Sequence, residues 1–81
     1  MRIQILFFAQ VRELAGCATA PLDLPERSTV ADALQALARA YPALGPMWPH
    51  VAVAMDGELV RDPQLVRDGA ELALLPPVSG G

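Results

Sequence analysis

The sequence predicts an α+β domain of two layers, a sheet packed against one main helix. Three observations predict it. A single apolar stripe with helical period lies in mid-chain, short apolar segments of strand character flank it on both sides, and turn dipeptides such as Asp56-Gly57 and Asp68-Gly69 separate those segments. The 81 residues suit one domain with one small core. Hydrophobic residues make up 53% and charged ones 19%, enough apolar material to offset the ordering entropy that leaves polar chains unfolded.

The first segment, Arg2 to Ala9, is rich in Ile, Leu and Phe and has strand length, with Ile3, Ile5 and Phe7 on one face and Gln4, Leu6 and Phe8 on the other. Gly16 marks a turn, after which Thr19 to Leu24 is a second strand stopped by Pro25, so the two strands are expected to form a hairpin of open register. Thr29 with Asp32 three residues later resembles a capping box, the start signal of a helix. Val30, Leu34, Leu37, Ala38 and Tyr41 then form one helical stripe, and Pro42 ends it, having no amide to donate and disfavouring helical backbone at Tyr41. Ala43 to His50, with Gly45, Pro46 and Pro49, reads as a loop in which Trp48 covers one end of the core. Val51 to Met55 and Glu58 to Val60 form a second hairpin around Asp56-Gly57, a pair suited to the positive backbone angles of a tight turn. Glu71 to Leu75 is the last strand. This order alone leaves the strand topology open.

Charge and composition exclude several functions. A net charge of -3 without a basic stripe argues against nucleic acid. No apolar run approaches the roughly 20 residues that cross a bilayer, and no cleavable leader is visible, so a cytoplasmic protein without a membrane role is expected. All six basic residues are Arg, so no side-chain amine is present for an isopeptide bond or a Schiff base. Cys17 has no cysteine partner, and with His50 far from it in sequence no metal site is expected.

After Leu75 the chain runs Pro76-Pro77-Val78-Ser79-Gly80-Gly81. The two prolines favour an extended exit and cannot donate to a neighbouring strand. Gly80-Gly81 has two readings, a frayed terminus or a slender tail. In the second, residues without a Cβ carry a terminal carboxylate down a narrow channel into another protein's active site. That carboxylate, ionised at neutral pH, can attack the α-phosphate of ATP to give an acyl-adenylate, from which a sulfur nucleophile displaces AMP and leaves a thiocarboxylate. The chain supplies no phosphate loop, Mg²⁺ site or persulfide cysteine, so ATP and Mg²⁺ are expected on a separate activating enzyme and no cofactor on this chain.

Two stretches, Leu6-Phe7-Phe8-Ala9-Gln10-Val11-Arg12-Glu13-Leu14 and Leu74-Leu75-Pro76-Pro77-Val78-Ser79-Gly80-Gly81, closely resemble the small, sulfur-carrier subunits of molybdopterin synthases. The resemblance implies a ubiquitin-like β-grasp domain over residues 1–75 with a flexible tail over 76–81. It implies activation of Gly81, with Gly80 beside it, by an E1-like adenylyltransferase, and sulfur from a cysteine desulfurase or rhodanese-type donor. Two sulfurs then convert cyclic pyranopterin monophosphate to molybdopterin within a heterotetramer. Most active-site residues are expected on the large subunit. In Asp68-Gly69-Ala70-Glu71, Ala70 stands where the family often has a second acidic residue.

In a β-grasp fold the first and last strands lie side by side and parallel, which brings Phe8 and Leu75 to the edge where the tail leaves. Both are apolar ends of otherwise polar or mixed faces. The resemblance adds Leu59 to the same interface, and Pro76, Pro77, Val78 and Ser79 to the partner-binding tail. Ordinary core is the alternative for all three apolar residues. Rival functions are a sulfur carrier for thiamine synthesis or tRNA thiolation, a ubiquitin-like modifier of target lysines, and an adaptor with an incidental Gly-Gly end.

Overall fold

The first strand, β1 (Arg2–Phe7), alternates as the sequence predicts, with Ile3, Ile5 and Phe7 buried and the residues between them on the opposite face. It ends two residues earlier than expected because Ala9 takes a positive φ of 49° and turns the chain. In this computed structural model residues 1–76 are described.

The connection to the second strand corrects the expected simple hairpin. Ala9–Ala15 is a helix, α1, closed by Gly16 in the left-handed conformation, whose amide donates to the Arg12 carbonyl. Ala, Gln, Arg, Glu and Leu are good helix formers, but the helical spacing of Val11, Leu14 and Ala15 spans little more than one turn, too short to stand out as a period. The strands nevertheless pair antiparallel, β2 (Thr19–Asp23) lying along β1 with Arg2 opposite Asp23 and Leu6 opposite Thr19.

The main helix, α2 (Val30–Ala40), begins with the predicted capping box. Thr29 Oγ1 accepts from the Asp32 amide at 3.2 Å, and an Asp32 carboxylate oxygen accepts from the Thr29 amide at 2.9 Å. Val30 and Leu37 of the expected stripe are buried with Ala33, while Leu34 and Tyr41 pack against the same core at its margin. The expected loop that follows is a 3-10 helical segment, Pro42–His50, with Leu44 fully buried. Pro42 stands at the start of this helix, where the missing amide has no intrahelical partner to lose. Trp48 packs partly buried against the core.

The second hairpin forms as predicted from β3 (Ala52–Met55) and β4 (Glu58–Val60), with Asp56 at φ 50° and Gly57 at φ 89° in the turn. β5 (Glu71–Leu75) then enters the middle of the sheet, parallel to β1 and antiparallel to β3, giving the order β2-β1-β5-β3-β4. A mixed sheet with its first and last strands parallel and central, laid on one main helix, is the ubiquitin-like β-grasp fold. Ala70, the departure from the family pattern, is buried in the core, and its carbonyl accepts from the Gln4 amide at 3.0 Å. An acidic side chain there would have to be desolvated.

Candidate functional site

Because β-strand side chains alternate, whatever α2 does not cover lies on the opposite, open face of the sheet. The register places a row across it. Leu6 stands opposite Ala73, Ala73 opposite Ala54, and Ala54 opposite Leu59. Two residues along, Leu75 stands opposite Ala52. The Phe8 amide donates to the Leu74 carbonyl at 3.4 Å, so the parallel pairing continues and sets Phe8 beside Leu75. Both rows are apolar, and they occupy the end of the sheet at which β5 finishes.

Phe8 is 44% and Leu59 75% exposed, while Leu75 and Pro76 are half-buried. Three predicted partner-binding side chains, Phe8, Leu59 and Leu75, therefore share one face with Leu6, Ala54 and Ala73, which the sequence reading did not single out. The alternation within each strand was visible, but cross-strand neighbours depend on register, which a single sequence does not reveal. Neither Phe8 nor Leu59 is ordinary core. Pro77, Val78, Ser79, Gly80 and Gly81, the rest of the predicted site, lie outside the described residues.

The far end of the open face is polar. Gln4 is opposite Glu71, and Arg2 pairs with Asp23 at 2.8 Å on the surface. At the hairpin turn, Asp56 accepts from the Glu71 amide at 3.0 Å and from the Arg67 guanidinium at 2.7 Å. These two donors, the amide foremost, hold its carboxyl below the usual carboxylate range. The open face thus has an apolar half next to the tail and a hydrogen-bonded polar half away from it.

Beside the apolar half, a groove lined by Leu34, Trp48, Val51 and Val60 shares Ala52 and Leu59 with the patch. The indole Nε1 of Trp48 is buried there, without a hydrogen-bond partner among the described residues. Cys17 sits at the end of the sheet where β5 finishes, its sulfur 4.0 Å from the Tyr41 hydroxyl, and the Tyr41 ring meets Phe7 edge-on at 5.2 Å. Burial, with Cys17 a smaller cause, pushes the Tyr41 phenol up. Among the described residues no group of three or more His, Cys, Asp or Glu side chains could hold a metal, and no helix is long and apolar enough to cross a membrane.

The model of the ThiS family matches residues 5–81. Small archaeal modifier protein 1 of Haloferax volcanii is 42% identical over 82 residues, covering 91% of this chain and 94% of that protein. The molybdopterin synthase sulfur carrier subunit of Chlamydomonas reinhardtii is 36% identical over 83 residues and is matched along the whole of both chains. Among solved structures, the crystal structure of SAMP1 from Haloferax volcanii superposes with a TM-score of 0.89 at 37% identity over the full length of both.

Proposed function

The chain belongs to the ThiS family, and from that premise we propose that it is the sulfur-carrier subunit of a molybdopterin synthase, with the Gly81 carboxylate as the group that carries sulfur. The observation that carries this reading is positional. β5 ends at Leu75, on the apolar end of the open face that also holds Phe8 and Leu59, and in the sequence Pro76-Pro77-Val78-Ser79-Gly80-Gly81 follows directly.

The carboxylate oxygen of Gly81 attacks the α-phosphorus of ATP on an E1-like enzyme, and pyrophosphate leaves. A persulfide sulfur from a cysteine desulfurase or rhodanese-type donor then attacks the acyl carbon and expels AMP, and a thiol cleaves the acyl disulfide to leave the thiocarboxylate. Inside the large subunit, two such sulfurs build the dithiolene of molybdopterin from cyclic pyranopterin monophosphate. ATP and Mg²⁺ belong to the activating enzyme. The body over residues 1–75 is the handle and residues 76–81 the working arm, acting in the cytoplasm within a heterotetramer.

Magnitudes explain why a handle is needed. Ordering four tail residues in a channel costs roughly 4–8 kcal/mol. Burying Phe8, Leu59 and Leu75 returns at most about 1.5–3 kcal/mol each before the cost of association. The tail cannot hold the complex together; the folded face must.

The likeness to a small archaeal modifier protein favours a second reading, in which the same activated Gly81 is transferred to amines of other proteins. One experiment separates the two. The chain is incubated with host extract, ATP and a sulfur source, and its intact mass is measured. The carrier reading expects the shift of one sulfur replacing one oxygen, lost when Gly81 is deleted. An unshifted chain contradicts it, and a chain found only in conjugates supports the modifier.

A further inference from the structure

We infer that this chain is a self-inert acyl donor: once Gly81 is activated, it forms no lasting bond to its own surface or to a side chain of a second copy. The inference rests on Gly81 being the acyl donor proposed above, and it concerns what the activated group can meet.

A lasting product requires an amine. When an amine attacks an activated acyl carbon, the C–N bond forms, the leaving group departs with its electron pair, the nitrogen gives up a proton, and the amide persists. Acylation of a hydroxyl or thiol gives an ester or thioester, which hydrolyses or passes the acyl group on. All six basic side chains are arginines, and a guanidinium stays protonated and does not act as a nucleophile at neutral pH. The 81-residue chain therefore carries one aliphatic amine, that of Met1.

The fold keeps that amine away from the tail. β1 and β5 are parallel with Gln4 opposite Glu71 and Phe7 opposite Leu74, so Met1 lies at the end of the sheet opposite the one where β5 finishes. From the level of Phe8 and Leu75 back to Met1 is about 23 Å at the rise of a β-strand. The six residues after Leu75 reach at most roughly 22 Å when fully extended. To run back along the sheet they must also reverse direction, which consumes residues in a turn. The amine is further engaged, its ammonium donating to the Leu24 carbonyl at 2.7 Å while the Met1 side chain packs on the core. Had the first and last strands been antiparallel, the amine and the tail would share one end of the sheet.

Cys17, the chain's one thiol, lies at the end of the sheet where β5 finishes. It is half-buried with its sulfur against the Tyr41 hydroxyl, and with no lysine in the chain a thioester formed on it has no side-chain amine to which the acyl group can migrate.

The test uses the full chain prepared as a Gly81 thioester by intein cleavage, held at mildly alkaline pH and followed by intact mass. Arg12→Lys is prepared alongside it. Arg12 is exposed on α1, its amide donating to the Phe8 carbonyl at 3.3 Å, beside the tail's exit. The parent is expected to hydrolyse to the acid with no cyclic or side-chain-linked product, whereas Arg12→Lys gives a cyclic species lighter than the acid by one water, a covalent dimer, or both. Cyclic product from the parent, or a dimer of it joined through a side chain, overturns the inference. So does an Arg12→Lys chain as inert as the parent, because the lack of lysine would then not be what protects it. The thioester is installed chemically, so neither outcome depends on a cellular enzyme activating Gly81; failure of the carrier reading appears instead in the ATP-dependent mass shift.

Discussion

The two faces of the sheet are drawn from the same strands yet do different work. On the face toward α2, Ile3, Ile5, Phe7, Leu72 and Leu74 are almost wholly buried. On the open face, Leu6, Phe8, Ala73, Leu75 and Leu59 are half-buried or exposed, although they are equally apolar. Side-chain chemistry alone does not separate them; strand parity does. Apolar area already removed from water stabilises the fold, whereas apolar area still facing water is available to stabilise a complex. Within the open face the apolar half sits where the tail leaves, and the polar half is tied up in its own hydrogen bonds.

That comparison breaks most visibly on its buried side. Leu72→Ala removes a fully buried side chain from the central strand and should lower unfolding stability by about 2–5 kcal/mol in urea titration. A loss no larger than that of a surface substitution would mean that the helix-covered face is not what holds the domain.

A smaller effect sharpens the contrast at the polar half. The Asp56 carboxyl is held below its ordinary range by the Glu71 amide and Arg67, so it contributes stability that is present above the unfolded-state value, near 3.9 for a free Asp, and is lost as pH falls through the lower folded-state value. Asp56→Asn tolerates the same positive φ and removes the charge. Its melting temperature should fall below the parent's at neutral pH, and the gap should close on acidification below about pH 4. A gap that stays constant with pH would assign the loss to turn geometry instead of charge.

How much of this was legible beforehand follows from how each element announces itself. α2 combines a stripe with a capping box, and β5 is an apolar segment between a turn and a Pro-Pro stop, so both were read to within a residue. α1 was not, because its seven residues give the spacing of Val11, Leu14 and Ala15 too little length to register as a helical period. Leu44 was missed because three prolines in Pro42–His50 mask a 3-10 segment that still turns one side chain inward. Within the site, Phe8, Leu59 and Leu75 were named from strand parity and family resemblance. Leu6, Ala54 and Ala73, which join them into one surface, needed the register, a long-range property of pairing.

The measurement that bears most directly on the division between the faces is made on Phe8→Arg. Its urea midpoint and its calorimetric affinity for the large subunit of the host's molybdopterin synthase are determined on one preparation. Phe8 is already exposed, so the midpoint should match the parent's while affinity falls by about tenfold or more, as expected when an apolar anchor at an interface becomes a buried charge. An unchanged affinity would contradict the account, since the partner would then not be reading the open face beside the tail.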